Sequence, residues 1–374
     1  MNKTGGELNL QLYRLELKDF RNYKEEYIDF VPGVNIFIGN NGQGKSNLLE
    51  AVNYLSIGKS LRIRTQTDLI RWGCDRFSLK ATCQCLGRSL VMESHMSKDK
   101  KVMKINGVPA KKLSEHIGAL VTVFFNPDDL SLLKKGPAER RRFIDQLISQ
   151  NKPFYISLLN TYLKTLRQKN TLLRQRGDIT ALKEQLRLWN EQLLHAGSRI
   201  IEYRLLYTRS LRENMTESFN CLFGDTQELD LTYQSCGKNT WNEIVDNFAY
   251  LLEKHMDQEI EQRTALYGPH RDDILVQLNG RPARWFASQG QQRALVLSMK
   301  LAEMEIIIKE KEEPPLLLLD DIFSELDEIR QDFLMNYITS AGQQTLVSLT
   351  HLESMKDLKQ NGHIFRVRDG IVNG

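Results

Sequence analysis

Cysteine is scarce in this chain. There are five in 374 residues, Cys74, Cys83, Cys85, Cys221 and Cys236, an odd number with no Cys-x-x-Cys pair. That excludes a disulfide framework and a zinc site built on paired cysteines. Cys83 and Cys85 share the parity of an apolar strand face and read as buried structural thiols. No apolar run approaches the roughly 18 residues needed to cross a bilayer. Residues 1–9 also lack the apolar stretch of a signal peptide. The expectation is therefore a cytoplasmic protein without a membrane partner. An excess of one charge is missing too: 26% of residues are charged and the net charge is only +4, so the overall balance does not demand a polyanion. There is no internal repeat, no low-complexity linker, and no heptad pattern sustained enough for an extended coiled coil.

What the chain does have is bulk and pattern. Its 374 residues exceed the usual domain size of about 100–200, which predicts one large or two smaller units, and a hydrophobic content of 41% supplies a core. Leu10, Leu12, Leu15 and Leu17 alternate as in a strand. A second strand is expected at about Tyr27 to Phe30, after Arg21-Asn22-Tyr23, and Pro32-Gly33 turns the chain into a short apolar strand, Val34 to Ile38. Leu79 to Ile105 is β-rich, with a hairpin signal at Asn106-Gly107. The character changes near Ser114. Pro137 suits a helix start, and Leu147 to Phe223 is dominated by helical spacing, divided at Gly177-Asp178. Strand patterns return after about Gln262, at Ile274 to Leu278, Leu316 to Leu319 and Thr345 to Thr350, with a hairpin at Asp369-Gly370. The expected division is an α/β unit over residues 10–113 and 262–374, interrupted by a mainly α-helical unit over 114–261.

Three segments carry chemistry. Gly39-Asn40-Asn41-Gly42-Gln43-Gly44-Lys45-Ser46 fits the phosphate-loop pattern GxxxxGK[ST]. It stands between an apolar strand and a helix whose Leu48, Leu49, Val52 and Leu55 repeat at helical spacing. Glycines let the backbone turn its N–H groups onto phosphate oxygens, and the helix N-terminus adds a positive dipole end. The loop through Asn47 would bind ATP, with Lys45 on the β- and γ-phosphates and Ser46 giving an oxygen to Mg²⁺. Leu316 to Asp321 is an apolar strand ending in two carboxylates; Asp320 would orient the magnesium shell and Asp321 would position, or deprotonate, the attacking water. Ser288-Gln289-Gly290-Gln291-Gln292-Arg293 precedes an apolar helix. There Ser288 can bond a phosphate oxygen, Gly290 permits close backbone approach, and the helix dipole favours an anion. Arg21, just after the first strand, would reach the α- or β-phosphate; it reads equally well as a surface arginine.

Order and spacing of these segments resemble the ABC/SMC type of ATPase, in which two copies close around nucleotide. Ser288 to Arg293 is similar to the ABC signature, with Gln289 in place of its first glycine. Ser324-Glu325-Leu326-Asp327 resembles the D-loop, and Thr350-His351 the switch histidine. Asp321 stands where that type usually has glutamate; its shorter reach predicts slow hydrolysis. A Q-loop glutamine is missing from Phe124 to Asp129.

The resemblance narrows further to the RecF family. It is carried by Lys18-Asp19-Phe20-Arg21-Asn22-Tyr23, Gly42 to Glu50, Arg140 to Asp145, Tyr267 to Asp273 and Leu319 to Asp327, in family order over nearly the whole length. It implies an ABC/SMC-type P-loop ATPase head, with mixed β-sheets and helices, interrupted by a mainly α-helical second lobe. It also implies an ATP-dependent homodimer and DNA binding, on double strands and at single/double-strand junctions. Action with RecR and RecO to promote loading of RecA, in gap repair, fork maintenance and the SOS response, is implied as well. Lys98, Lys100, Lys101, Lys104, Lys111, Lys112 and Arg140 to Arg142 are the basic candidates for DNA, although any one lysine alone reads as a solvated charge. The segment Gly268-Pro269-His270-Arg271-Asp272-Asp273 reads as a fixed turn, with Arg271 and Asp272 as an internal ion pair. A small-molecule kinase would need no signature segment. A transport ATPase would normally show a Q-loop, and a structural SMC protein would need long heptads.

Overall fold

The computed structural model describes residues 9–60, 62–63, 65–175, 177–223, 227–235, 241–340, 342–350 and 362–374. Cys236 and His351 lie outside the described residues. The chain forms two compact units, Met1–Ser131 with Arg293–Gly374, and Leu132–Gln292. The first opens with β1 (Gln11–Phe20), β2 (Tyr23–Asp29), β3 (Val34–Ile38), α1 (Lys45–Ile57), β4 (Arg76–Cys85), β5 (Arg88–Ser97), β6 (Lys101–Ile105), β7 (Val108–Pro109) and β8 (Thr122–Phe125). The second holds α2 (Pro137–Asn151), α3 (Phe154–Leu173), α4 (Ile179–Phe223), β9 (Leu229–Gln234), α5 (Trp241–Lys254), α6 (Met256–Gln262), β10 (Asp273–Leu278), β11 (Arg281–Pro282) and α7 (Ala283–Phe286). The chain continues through α8 (Gln289–Lys311) to β12 (Leu316–Asp320), α9 (Glu328–Ser340), β13 (Thr345–Leu349), β14 (Gly362–Arg368) and β15 (Ile371–Asn373).

Two six-stranded sheets build the first unit. One is an antiparallel meander in the order β2-β1-β4-β5-β6-β7. Its alternating apolar residues, Leu15 and Leu17 on β1 and Phe77, Leu79, Ala81 and Cys83 on β4, face the core. The other sheet runs β15-β14-β3-β13-β12-β8 and pairs in parallel from β14 to β8. Its central strands are apolar runs, as a sheet covered on both faces requires. The helix α1 packs against strands of both sheets. It is buried nearly all round, with Tyr54 edge-on to Phe77 at 5.6 Å.

Register fixes the functional edge. Ile38 pairs with Leu349, Ser348 with Asp320, and Leu319 with Phe125. The residues that follow, Gly39, Thr350, Asp321 and Asn126, therefore emerge side by side at the carboxyl ends of parallel strands, where open α/β sheets bind ligands.

The second unit pairs α3 with α4, a single helix of 45 residues, roughly 68 Å long at 1.5 Å per residue. Pro137 is the first residue of α2, as its missing N–H favours. The unit also contains an antiparallel sheet, β11-β10-β9. Here the observed division differs from the expected boundaries at 113/114 and 261/262. Strand β8 belongs to the first unit because it pairs with β12, and β10 belongs to the second because it pairs with β9. Both pairings join residues far apart in sequence, which local composition does not reveal. Likewise β2 starts at Tyr23, because Arg21-Asn22 is a two-residue hairpin turn with Arg21 in the left-handed region (φ 54°).

Candidate functional site

The phosphate loop leaves β3 and enters α1 at Lys45. Its glycines answer two different demands. Gly42 (φ 81°) and Gly44 (φ 118°) occupy the left-handed region, while a Cβ on Gly39 would stand 2.2 Å from the Val367 carbonyl oxygen. Asn40, Asn41 and Gly42 are exposed, and Lys45 is buried beneath them. The Lys45 ammonium donates to the carbonyls of Gly39 at 2.6 Å and Asn40 at 3.0 Å. Burial lowers its pKa, against the upward pull of Asp321 and Asp320.

Two hairpin turns grip the loop from outside. Asn22 donates to the Gln43 carbonyl at 2.9 Å and accepts from Asn47 Nδ2 at 2.8 Å, and the Tyr23 hydroxyl donates to the Gly44 carbonyl at 3.0 Å. From the turn between β14 and β15, Asp369 N–H donates to Gln43 Oε1 at 2.6 Å, and Gly370 N–H donates to the Gln43 carbonyl at 3.1 Å. None of these partners is signalled by sequence spacing.

Beside the loop, the Ser46 hydroxyl donates to Asp320 Oδ1 at 2.6 Å. Ser348 donates to the same oxygen at 2.8 Å, and its own Oγ accepts the Asp321 N–H at 3.0 Å. Asp321 has φ 50°, a rare region for a non-glycine residue, and its Oδ1 accepts from Thr350 Oγ1 at 3.2 Å. Burial pushes the Asp321 carboxyl upward in pKa, with the Thr350 bond and Lys45 opposing. Arg62 Nη1 lies 3.9 Å from Asp320 Oδ2. This is an oxygen-donor pair of the kind magnesium takes, one carboxylate and one hydroxyl. The glycine cradle and the Ser46–Asp320 pair fit a magnesium nucleotide.

Arg21 is placed differently from the expectation. Its guanidinium makes a two-pronged ion pair with the buried Glu50, at 2.9 and 3.0 Å, and Glu50 also accepts from Ser60 at 2.5 Å. It therefore ties the β1–β2 turn to α1, and the side chains that contact the loop are its neighbours Asn22 and Tyr23.

Of the signature segment, Ser288 to Gln292 end the second unit and Arg293 begins the returning part of the first. Ser288 and Gln291 cap α8 reciprocally: Ser288 Oγ accepts Gln291 N–H at 3.2 Å and Gln291 Oε1 accepts Ser288 N–H at 2.8 Å. Ser288 and Gln289 are exposed and Gly290 half-buried. In the first unit, Asp327 Oδ1 accepts Arg330 N–H at 3.1 Å and caps α9. Asn126 follows β8, and its N–H donates to Asp129 Oδ2 at 3.0 Å.

Several basic candidates are committed internally. The Lys101 ammonium bonds the Gly58 carbonyl and lies 5.0 Å from the Tyr54 ring centroid, while its stem stays exposed; burial of the ammonium lowers its pKa to about 8. Lys104 pairs with Glu93 at 3.6 Å and Arg140 doubly with Asp273 at 2.8 Å, while Arg141 donates to the Asp272 carbonyl at 2.5 Å. Lys98, Lys100, Lys111, Lys112 and Arg142 remain exposed. The turn at Gly268 to Asp273 is structural as read, but its ion pair is Asp273 with Arg140 instead of Arg271 with Asp272. Arg271 donates instead to the Ala265 carbonyl at 3.1 Å.

Comparison with known proteins agrees with this geometry. The sequence profile of the RecF/RecN/SMC N terminal domain matches residues 11–373. The "DNA replication and repair protein RecF" of Desulfitobacterium hafniense is 46% identical over 347 residues, covering 92% of this chain and 95% of that protein. The Streptococcus pneumoniae protein of the same name is 39% identical over 368 residues, covering 97% and 99%. A solved structure, described as the recombination mediator protein RecF-ATP in the RecFOR pathway, matches with a TM-score of 0.90 at 31% identity, over 100% of this chain and 99% of that one. An Smc head domain from Pyrococcus furiosus matches at a TM-score of 0.57 and 18% identity, covering 97% of this chain and 95% of that one; this is a likeness of fold alone. The architecture is thus an ABC/SMC-type ATPase head with a helical insertion, and the chain belongs to the RecF family within the RecF/RecN/SMC group.

Proposed function

We propose that this chain is an ATP-gated, DNA-binding recombination mediator. Two copies close on ATP, bind double-stranded DNA at gaps and at single/double-strand junctions, and with RecR and RecO promote loading of RecA. Slow, DNA-stimulated ATP hydrolysis then resets the dimer. The same activity would serve replication fork maintenance and SOS induction. The supporting observation is a complete carboxylate edge, Ser46–Asp320–Ser348 with Asp321–Thr350, in a chain that also presents an exposed, serine-capped signature segment.

In this reading the N–H groups of residues 39–47 bind the phosphates of ATP and Lys45 meets the β- and γ-phosphates. Ser46 and Asp320 would hold Mg²⁺, which when bound neutralises phosphate charge. Asp321 positions the attacking water, oriented by Thr350; His351 is proposed to sense the γ-phosphate. Ser288 through Gln291 and Asp327 serve the nucleotide of the second copy. Arg21 acts by fixing Glu50 and the turn that carries Asn22. The relatives' printed names, a DNA replication and repair protein and a recombination mediator with ATP, support the same reading. DNA would be held through phosphates by exposed lysines and arginines, so affinity should fall steeply with salt.

Light scattering with and without ATP tests the proposal. ATP should convert monomer to dimer, and Ser288→Arg should abolish the conversion while nucleotide still binds. A wild-type chain that binds ATP and stays monomeric would refute it.

A further inference from the structure

The hairpin β10–β11 and the single turn α7 deliver an unusual surface directly before Ser288. Trp285 is 71% exposed and Phe286 64% exposed. Each ring carries an arginine on its face: Arg284 lies 4.6 Å from the Trp285 centroid and Arg281 lies 5.7 Å from that of Phe286. At 150–250 Å² per large aromatic side chain, the two rings leave about 300 Å² of apolar surface in water, comparable to the largest patch, often a functional one, on a typical monomer. The patch is not a loose loop. Buried Gln292, in the first turn of α8, directs its amide to the carbonyls of Ala283, Arg284 and Ala287 at 3.4, 3.5 and 3.0 Å. Ala283 is fully buried, and Pro282 pairs with Gln277 on β10. The aromatic turn and the signature helix are thus stapled together, and residues 284–290 form one continuous accessible strip.

We infer that Trp285, Phe286, Arg281 and Arg284 form an interaction surface whose occupant is a second copy of this chain, covered when ATP closes the dimer. The inference rests on the dimer proposed above and adds residues to it. Trp285 stands three positions before Ser288, a reach of at most about 10 Å. A Ser288 seated on the γ-phosphate of the other copy's nucleotide therefore brings the rings and their arginines against the face around that nucleotide. The charges agree, two cations meeting a polyphosphate and the carboxylate pair Asp320–Asp321. Aromatic and arginine side chains are also the types that dominate interface energetics.

The test compares wild type, Trp285→Ala/Phe286→Ala, Trp285→Phe/Phe286→Tyr and Ser288→Arg. Light scattering over a protein dilution series in saturating ATP gives the dimer Kd. Fluorescent ATP analogue titrated into dilute monomer gives nucleotide affinity, and acrylamide quenching of tryptophan, taken as the difference between wild type and Trp285→Phe/Phe286→Tyr because Trp72 is exposed as well, gives Trp285 exposure. The alanine pair should raise the dimer Kd about tenfold or more and leave monomer nucleotide affinity unchanged. The aromatic-retaining pair should dimerise like wild type, and quenching of wild type should fall on adding ATP. If Ser288→Arg blocks dimerisation but the alanine pair does not weaken it, this inference fails and the dimer stands. If wild type binds ATP and stays monomeric, or Ser288→Arg still dimerises, the reading of a dimer closed by Ser288 on the other copy's nucleotide itself fails. Loss of single-stranded DNA binding by the alanine pair with an intact dimer would reassign the rings to base stacking and overturn the proposal.

Discussion

Ser348→Ala probes the carboxylate edge without touching either carboxylate. Ser348 is fully buried on β13; its hydroxyl donates to Asp320 Oδ1 at 2.8 Å and accepts the Asp321 N–H at 3.0 Å. Neither partner is orphaned by the change. Asp320 Oδ1 keeps the Ser46 hydroxyl at 2.6 Å, and Asp321 N–H keeps the Ser348 carbonyl at 3.2 Å. The fold should therefore lose only about 1 kcal/mol, the net worth of an ordinary hydrogen bond whose partners stay satisfied. The site loses a charge-assisted bond worth about 1.5–3 kcal/mol that fixes the Asp320 rotamer. Taking the lower figure, since Ser46 still restrains the carboxylate, predicts an effect of about tenfold. The assay is steady-state ATP turnover across a magnesium titration, with metal-free nucleotide binding measured separately. We expect the magnesium midpoint to rise about tenfold and metal-free binding to stay at the wild-type value. An unchanged midpoint and turnover would refute the argument, and reduce Ser348 to a support of the backbone.

Glu259→Gln should destabilise the second unit. It leaves Lys169, paired at 2.6 Å with both side chains fully buried, without its countercharge, at a cost of about 3–5 kcal/mol. Calorimetry of the full chain should show it, and Lys169→Met/Glu259→Leu should recover most of the loss. Two buried groups of that unit oppose each other in acid. Burial raises Asp272 to about 6 from 3.8, so folding takes up a proton between these values and stability falls as pH rises through them. Burial also lowers His270 to about 4 from 6.5, so stability falls as pH drops through that window. Each is worth about 3 kcal/mol at 1.36 kcal/mol per unit. Asp272→Asn should uncover the histidine, and its melting temperature should fall more steeply than wild type from pH 7 to pH 5.

The parts of the site that sequence made legible are those whose physics is local. A glycine loop between strand and helix, an apolar strand ending in carboxylates, and a serine before a helix each need only neighbours in the chain. What sequence hid depends on register between distant strands. Ser348 meets Asp320 because β13 pairs with β12 in one register, and a slip of one residue would turn it away. The one available signal was weak, a serine between the apolar residues Val347 and Leu349 of a buried strand. Lys101 illustrates the opposite error. Its place in a lysine-rich stretch suggested a contact surface, yet its long stem lets the ammonium turn back onto Gly58 and Tyr54. Position after the first strand points Arg21 to phosphate, whereas its guanidinium pairs at 2.9 Å with Glu50, buried on α1.

The segment Asp19 to Tyr23 acquires a purpose from that arrangement. Arg21, held by Glu50, sets the hairpin turn. Asn22 and Tyr23 then fasten the phosphate loop at Gln43, Gly44 and Asn47, and the Asp369-Gly370 turn fastens Gln43 from another side. A loop with two left-handed glycines would otherwise have to be ordered by its ligand, at roughly 1–2 kcal/mol per residue fixed. Held in advance, it leaves more of the nucleotide's binding free energy for closing the proposed dimer. Asn22→Ala tests this, because it removes both Asn22 bonds while Tyr23 and the Arg21–Glu50 pair remain. Loss of two exchanged hydrogen bonds at about 1 kcal/mol each predicts ATP affinity lower by about 10- to 30-fold. Turnover at saturating ATP should hold near wild type, because the groups at Asp320 and Asp321 are untouched. A fall in turnover with unchanged affinity would mean that Asn22 acts on the reacting groups, and the preorganisation argument would be wrong.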